Sequence, residues 1–474
     1  MTKSYASLSG IKSDIEAGKT TVEKLVQGYL TNITANARLN VFNEVFEQEA
    51  LARAKEVDTR IENGTAGKLA GMVIAIKDNI CYKGHKVSAS SKILNNFTSV
   101  YSSTIVERLL AADAIIIGRC NCDEFAMGAA NETSFFGPVK NYADETRVSG
   151  GSSGGSAVAV QANMCQAAIG TDTGGSVRQP ASFCGLVGLK PTYGRISRHG
   201  IIAYASSFDQ VGPITRSVED AGLLLEVMAG PDEYDSTVAQ ADIPLFSNEI
   251  KAPGKKKIAY LQEALSSPGV DSEIKSTLVT YIDKLRAEGH TVKPIAFDFL
   301  EYLVPTYYVL AMAEASSNLS RYDGVHYGYR SPAATDLQST YKRSRSEGFG
   351  KEVKRRIMLG TFVLSAGYYD AYFAKAQKVR RLIREKTDEI LREYDFILIP
   401  TAPEPAFPIG RQEKDPVITY LSDIFTVQAS LTGAPAISLP AGNNIKGLPL
   451  GLQLVTKHFE EQELLNFSKY FLEL

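Results

Sequence analysis

Short apolar runs alternate along this chain with longer segments whose apolar residues fall on one helical face. That alternation restricts the fold more than any other feature. The runs at 71–76, 114–117, 166–170, 258–261, 396–399 and 436–439 have the length of buried strands, and the last two are closed by prolines. Between them, Val22, Leu25, Val26, Tyr29, Leu30 and Ile33 follow a capping box at Thr20-Thr-Val-Glu23 and predict an amphipathic helix. Further helices are expected over 47–61, 105–110, 157–162, from Ser217-Val-Glu-Asp220 to about 229, over 273–288, and along Tyr372, Phe373, Ala376, Val379, Ile383 and Ile390. Strand and helix in turn, with short connections, predict an α/β fold: a mixed, mostly parallel sheet covered by helices on both faces. The loop-rich 230–257 stretch is a boundary candidate, but the same pattern resumes after it and no internal repeat is present. One large domain over 1–474 is expected, with a helical segment of about 1–66 packed on it.

Composition excludes several classes of function. The 474 residues are 44% hydrophobic and 22% charged, with a net charge of −2, which gives no reason to expect autonomous nucleic-acid or membrane binding. The first ten residues are polar, unlike a signal peptide, and no apolar run reaches the roughly 18 residues of a membrane span. A cytoplasmic protein is expected. Cys81, Cys120, Cys122, Cys165 and Cys184 are odd in number and irregularly spaced, so neither a disulfide framework nor a metal site is expected. Lys375, Lys378, Arg380, Arg381, Arg384 and Lys386 make one helix basic, but Glu385, Asp388 and Glu389 lie among them, as on a solvated face.

Chemistry points to two glycine-rich turns, Ser149-Gly-Gly-Ser-Ser-Gly-Gly-Ser156 and Gly170-Thr-Asp-Thr-Gly-Gly-Ser176, each next to an apolar segment. The first lacks the Gly-Lys-[Ser/Thr] ending of a nucleotide-binding loop and runs straight into Ala157-Val-Ala-Val160, unlike a linker. Successive glycines in the second let neighbouring N–H groups point into one space, the arrangement that receives an oxyanion. A serine ending such a turn is a candidate nucleophile and needs a base. His85, His199, His290, His326 and His458 all fall outside these motifs. Lys77 closes an apolar strand, where desolvation would lower its pKa and make a serine–lysine arrangement workable.

Lys77, Ser152 and Ser176 together resemble the amidase signature family. Ile76-Lys-Asp-Asn79, the two serine turns and Ser182-Phe-Cys-Gly-Leu-Val-Gly-Leu-Lys-Pro-Thr-Tyr-Gly-Arg195 each look like a family block, with 75 residues from Lys77 to Ser152 and 24 from there to Ser176. The resemblance implies Ser176 as nucleophile, Ser152 as a bridging serine after a cis peptide bond, and Lys77 as base. Thr173, Gly174 and Gly175 would supply oxyanion-hole amides. Outside the triad, Asp123-Glu-Phe-Ala-Met-Gly128, 313–324, Glu352-Val-Lys-Arg-Arg-Ile357 and Tyr420-Leu-Ser-Asp-Ile-Phe425 resemble the glutamine-hydrolysing branch of the family, the A subunits of tRNA-dependent amidotransferases. That branch implies Tyr307, Arg356 and Asp423 as the glutamine site, arginine forking onto the α-carboxylate and aspartate receiving the α-ammonium. It also implies no metal and no cofactor in this chain. ATP and Mg²⁺ would sit on a partner, the B subunit, which handles the acyl-tRNA, and a small C subunit would complete a heterotrimer. The alternatives are a free-standing amidase and a catalytically silent assembly subunit. Arg119-Cys120, Tyr142 and Ser149 depart from the residues common in relatives.

Overall fold

The computed structural model describes residues 3–247, 251, 253–411 and 420–474. Part of the loop-rich 230–257 stretch, residues 248–250 and 252, therefore lies outside the described residues. Among the described residues eleven strands form one sheet: β1 (Phe42–Val45), β2 (Val73–Lys77), β3 (Ile115–Cys120), β4 (Ala167–Asp172), β5 (Val187–Lys190), β6 (Gln210–Thr215), β7 (Lys257–Leu261), β8 (Thr291–Ile295), β9 (Phe396–Pro400), β10 (Ala436–Asn443) and β11 (Pro449–Val455). Their order is β1-β3-β2-β4-β6-β5-β10-β11-β9-β7-β8.

Every residue of β2, β3, β4, β5, β6, β9 and β11 is buried. Successive side chains of a strand point to opposite faces, so burial at every position means that both faces of the sheet are covered. The six apolar runs of the sequence are all strands of this sheet, and Lys77 is the last residue of β2, as expected. The sheet is mixed, but its parallel pairs are confined to the flanks, β2 with β3 and β4 on one side and β7 with β8 and β9 on the other. The other six neighbouring pairs are antiparallel, so "mostly parallel" does not describe it. The central strands that reverse the direction include β6, which carries Gly212 and Pro213, and β11, whose buried Gly451 and Gln453 interrupt an apolar run. Neither is a clean apolar run, and both are held in the sheet by their neighbours.

The expected helices are present at Val22–Ala35, Glu47–Glu62, Thr104–Ala111, Gly154–Gln161, Val218–Met228, Ser272–Ala287 and Lys375–Glu393. The first starts one residue later than the capping box predicts: Thr21 accepts from Lys24 N, and Asp58 of the next helix accepts from the amides of Val22 and Glu23. A carboxylate from a neighbouring helix replaces the reciprocal Glu23 contact and closes the end just as well. Helix Gly154–Gln161 absorbs the end of the first glycine–serine run, with the Gly155 amide donating to Asn121 O and to Asn131 Oδ1. The acidic residues of the basic helix do pair with it, Arg381 with Glu385 and Lys386 with Glu389. Among the described residues no helix is long and apolar enough to cross a membrane. All five cysteines are buried and unpaired.

Candidate active site

Strands β2 and β4 lie side by side and parallel, so their carboxyl ends open onto the same edge of the sheet. Ligands of open α/β sheets collect at such ends, because the loops that leave them can converge there. Lys77 ends β2. Thr171 and Asp172 end β4, and the 173–176 turn leads from there to the helix Arg178–Phe183. Ser152 lies just ahead of helix Gly154–Gln161, after a cis Gly151–Ser152 bond.

The Lys77 ammonium is fully buried and donates to Ser152 Oγ at 2.7 Å and Thr171 Oγ1 at 2.9 Å. Asn79 Nδ2 also donates to Thr171 Oγ1, at 3.0 Å, and so fixes the hydroxyl beside the lysine. Burial lowers the Lys77 pKa from 10.5 to about 8, against the opposing pull of the Asp123, Asp172 and Asp209 carboxylates. Near neutral pH a tenth or so of the molecules then carry a neutral amine there, against roughly one in three thousand for an unperturbed lysine.

Ser176 is 7% exposed and its hydroxyl has no hydrogen-bond partner among the described residues; its carbonyl accepts from the Ser153 amide at 3.1 Å. The backbone thus joins the two serine turns, while the Ser152–Ser176 hydroxyl contact expected of a bridged triad is not made in this structure. None of the amides of Thr173, Gly174, Gly175 and Ser176 donates to an acceptor among the described residues, so four consecutive donors stay free. A run of free amides is what an anion-receiving nest requires. The turn is pressed from outside. A Cβ at Gly174 would come within 2.5 Å of Tyr307 Oη, and one at Gly175, whose φ is +138°, within 2.6 Å of Thr426 Cβ. Thr426 Oγ1 in turn donates to Gly174 O at 2.6 Å. Below the turn, burial pushes the Asp172 carboxyl up, but Arg178 outweighs it through a 2.9 Å ion pair and holds the pKa low. Arg178 also ties in Thr426 O and Gln453, which makes the floor rigid.

Tyr307, Arg356 and Asp423 come together on the far side of this turn. Arg356, on helix Lys351–Val363, lies against the rings of Tyr204, Tyr308 and Tyr420. It donates from Nε to Glu352 at 2.9 Å and from one terminal nitrogen to Tyr204 Oη at 2.8 Å, and its other terminal nitrogen has no partner among the described residues. Asp423 accepts from Tyr308 Oη at 2.7 Å, and burial raises its pKa to about 7 against the pull of that bond and of Arg356. Tyr308 therefore touches both the buried cation and the buried acid. A cleft of about 540 Å³ lined by Tyr308, Glu352, Arg356, Tyr420 and Glu132 opens here; Lys77, Ser152, Ser176, Tyr307 and Asp423 are not among its walls.

Tyr204, Tyr308, Glu352, Tyr420, Thr171 and Thr426 do work at this site that the sequence reading did not assign. Glu352 could have been found from its i,i+4 spacing to Arg356, and Thr171 from its place in the glycine turn. Tyr204 carries no local signal, since only the tertiary fold brings it to Arg356. Glu124, in the Asp123-Glu-Phe-Ala-Met-Gly128 stretch, accepts from the Gly350 amide at 2.9 Å and so caps the helix that carries Arg356. Arg119, one of the departures from relatives, is buried and paired with Asp78. No group of three or more His, Cys, Asp or Glu side chains that could hold a metal is present among the described residues.

Comparison with known proteins bears on the family and the fold. Residues 24–465 match the Amidase family. The A subunit of the glutamyl-tRNA(Gln) amidotransferase of Chlorobium phaeobacteroides is 49% identical over 467 residues, covering 98% of either chain. The protein of the same name from Salinibacter ruber is 45% identical and covers 99% of this chain and 100% of its own. Among solved structures, the A subunit of the Thermotoga maritima glutamyl-tRNA(Gln) amidotransferase superposes with a TM-score of 0.79 at 41% identity, over 94% of this chain and 90% of that one. Peptide amidase from Stenotrophomonas maltophilia gives 0.81 at 29% identity, over 98% and 95%. A lysine buried against a serine, a free-amide turn ending in a second serine and full-length likeness of this degree lead to one assignment: the chain belongs to the amidase family.

Proposed function

We propose that this chain is the glutamine-hydrolysing subunit of a tRNA-dependent amidotransferase, and that it acts through a serine–serine–lysine triad. Neutral Lys77 takes the Ser152 proton while Ser152 takes the proton of Ser176, whose oxygen attacks the side-chain carboxamide carbon of glutamine. The oxyanion is received by the amides of the 173–176 turn. The C–N bond breaks, the proton held by Lys77 returns through Ser152 to the leaving nitrogen, and ammonia departs. Water admitted in its place is deprotonated along the same path and hydrolyses the glutamyl ester, releasing glutamate and Ser176.

The observation that carries this reading is the pairing of Arg356 and Asp423 around Tyr308 beside the turn. A generic amide needs no such pair, whereas a free amino acid presents one carboxylate and one ammonium to match it. The lysine–serine pair also argues against a silent assembly subunit. Ammonia would pass to a B subunit, which would hold ATP and Mg²⁺ and mainly handle the acyl-tRNA, Glu-tRNA(Gln) or Asp-tRNA(Asn), while a small C subunit would stabilise the pair. The chain itself needs no metal for the steps above.

The test is ammonia release from glutamine by the chain alone and with B and C, followed by amidation assays. The isolated chain should hydrolyse glutamine slowly and fail to amidate Glu-tRNA(Gln); the reconstituted complex should do both. A complex carrying Ser176→Ala should amidate with ammonium but not with glutamine. A correctly assembled mutant complex that stays inactive with ammonium would rule out this division of labour.

A further inference from the structure

A third segment, 204–209, lies between the free-amide turn and the Arg356 cluster and touches both. It ends in Asp209, which is 4% exposed and has no ion-pair partner among the described residues. Its Oδ1 accepts from Thr173 Oγ1 at 2.7 Å and from the Ala205 amide at 3.2 Å, and its Oδ2 accepts from the amides of Tyr204 at 2.9 Å and Ala205 at 3.0 Å. One carboxylate therefore holds the first residue of the turn that receives the oxyanion and, on its other side, the backbone of Tyr204. Tyr204 accepts from Arg356 through its hydroxyl. The neighbouring Phe208 stands edge-on to Tyr307 with ring centroids 5.5 Å apart, and Tyr307 is the ring that backs Gly174.

We propose that Asp209 is a positioning residue that sets the free-amide turn through Thr173 and the arginine pocket through Tyr204, so that oxyanion binding and recognition of the substrate carboxylate are fixed by one buried carboxylate. This rests on the glutaminase reading for its recognition arm only; the arm through Thr173 holds for any ester or amide that Ser176 attacks. An unpaired buried carboxylate is costly to keep and is retained here by three donors, every one of which lies on a segment that the chemistry uses. Asparagine at this position has the same shape but no charge: with its oxygen kept toward the 204–205 amides, its NH₂ group faces Thr173, whose hydroxyl must turn from donating to accepting, and the charge-assisted bond that sets the turn is lost.

The experiment is a mutant cycle on the full chain, read with glutamine and with a small chromogenic ester that lacks both charged groups. Thr173→Val, which removes only the hydroxyl, should lower kcat about tenfold or more on both substrates with little change in the glutamine KM. Thr173→Ser, which keeps the hydroxyl, should restore most of that loss. Asp209→Asn should lower kcat on both substrates and also raise KM for glutamine several-fold. The double variant should be no slower on the ester than Asp209→Asn alone, because the two act through one bond. Multiplying losses in the double variant, or ester turnover within about twofold of wild type for Asp209→Asn, would overturn the proposal. If Asp209→Asn does not fold, the valine–serine pair decides: equal ester rates for Thr173→Val and Thr173→Ser refute it. A wild-type chain that turns over the ester but not glutamine would sink the glutaminase reading and leave this test intact.

Discussion

Replacing Lys77 by methionine separates the energetic cost of the site from its chemistry. Lys77 is buried completely, and its pKa falls from 10.5 in an unfolded chain to about 8 in the folded protein because burial penalises the charge. That gap corresponds to about 3 kcal/mol by which the folded state disfavours the proton. Because the folded pKa lies below the unfolded one, the unfolded chain binds more protons between about pH 8 and 10.5, and stability rises with pH through that window. Below about pH 8 the full penalty is present. The Lys77 contribution should therefore add about 2 kcal/mol of stability between about pH 7 and 9.5. Methionine has similar length, no charge and no titration. Denaturant unfolding of both proteins across this range isolates the effect, because all other groups cancel in the difference. Wild type should gain on Lys77→Met by about 2 kcal/mol as pH rises, while the variant has no measurable esterase or glutaminase activity. In wild type, kcat/KM on a small neutral ester should climb about tenfold from about pH 6 to 7 and level off above about pH 8. A stability difference that does not change with pH, or a rate that keeps climbing toward about pH 10, would mean that Lys77 keeps an ordinary pKa and is not the base.

Other perturbations probe the remaining parts. Ser176→Ala should abolish hydrolysis of glutamine and of the ester without lowering Tm, since it removes a hydroxyl that has no partner among the described residues; residual turnover above a few per cent would place the nucleophile elsewhere. Ser152→Ala should be severe but leakier, as a water can stand in for the hydroxyl that Lys77 meets. Arg356→Ala should raise the glutamine KM by about tenfold or more and spare the ester, and an equal loss on both would show a role in the fold instead. With Asp423 pushed up to about 7, glutamine KM should fall as pH rises through about 7, where the carboxylate ionises and can receive the α-ammonium. Asp423→Asn should lose that pH dependence. Gly174→Ala should cost about a hundredfold in kcat on both substrates, because its Cβ would meet Tyr307 at 2.5 Å and shift the free amides; unchanged rates would show that those amides do not receive the oxyanion.

The α/β class, the six core strands with Lys77 at the end of one of them, and the two serine turns were legible in the sequence because each rests on local physics. An apolar run of strand length has few alternatives, and paired glycines beside it announce a close backbone approach. The same locality explains what was missed. Strands β6 and β11 contain glycine, proline or glutamine in place of a clean apolar run, and only pairing with their neighbours across the sheet makes them strands. Their antiparallel direction, which leaves antiparallel pairs predominant in the mixed sheet, is likewise a property of the assembled layer. Tertiary structure alone decided that Lys77 loses enough solvent for its pKa to fall to about 8, that Asp58 of one helix caps the helix before it, and that Tyr204, Tyr308 and Tyr420 enclose Arg356. Each of these joins residues far apart in the chain. Local periodicity fixes which element a segment becomes; desolvation and charge pairing depend on what the other elements bring to the same space.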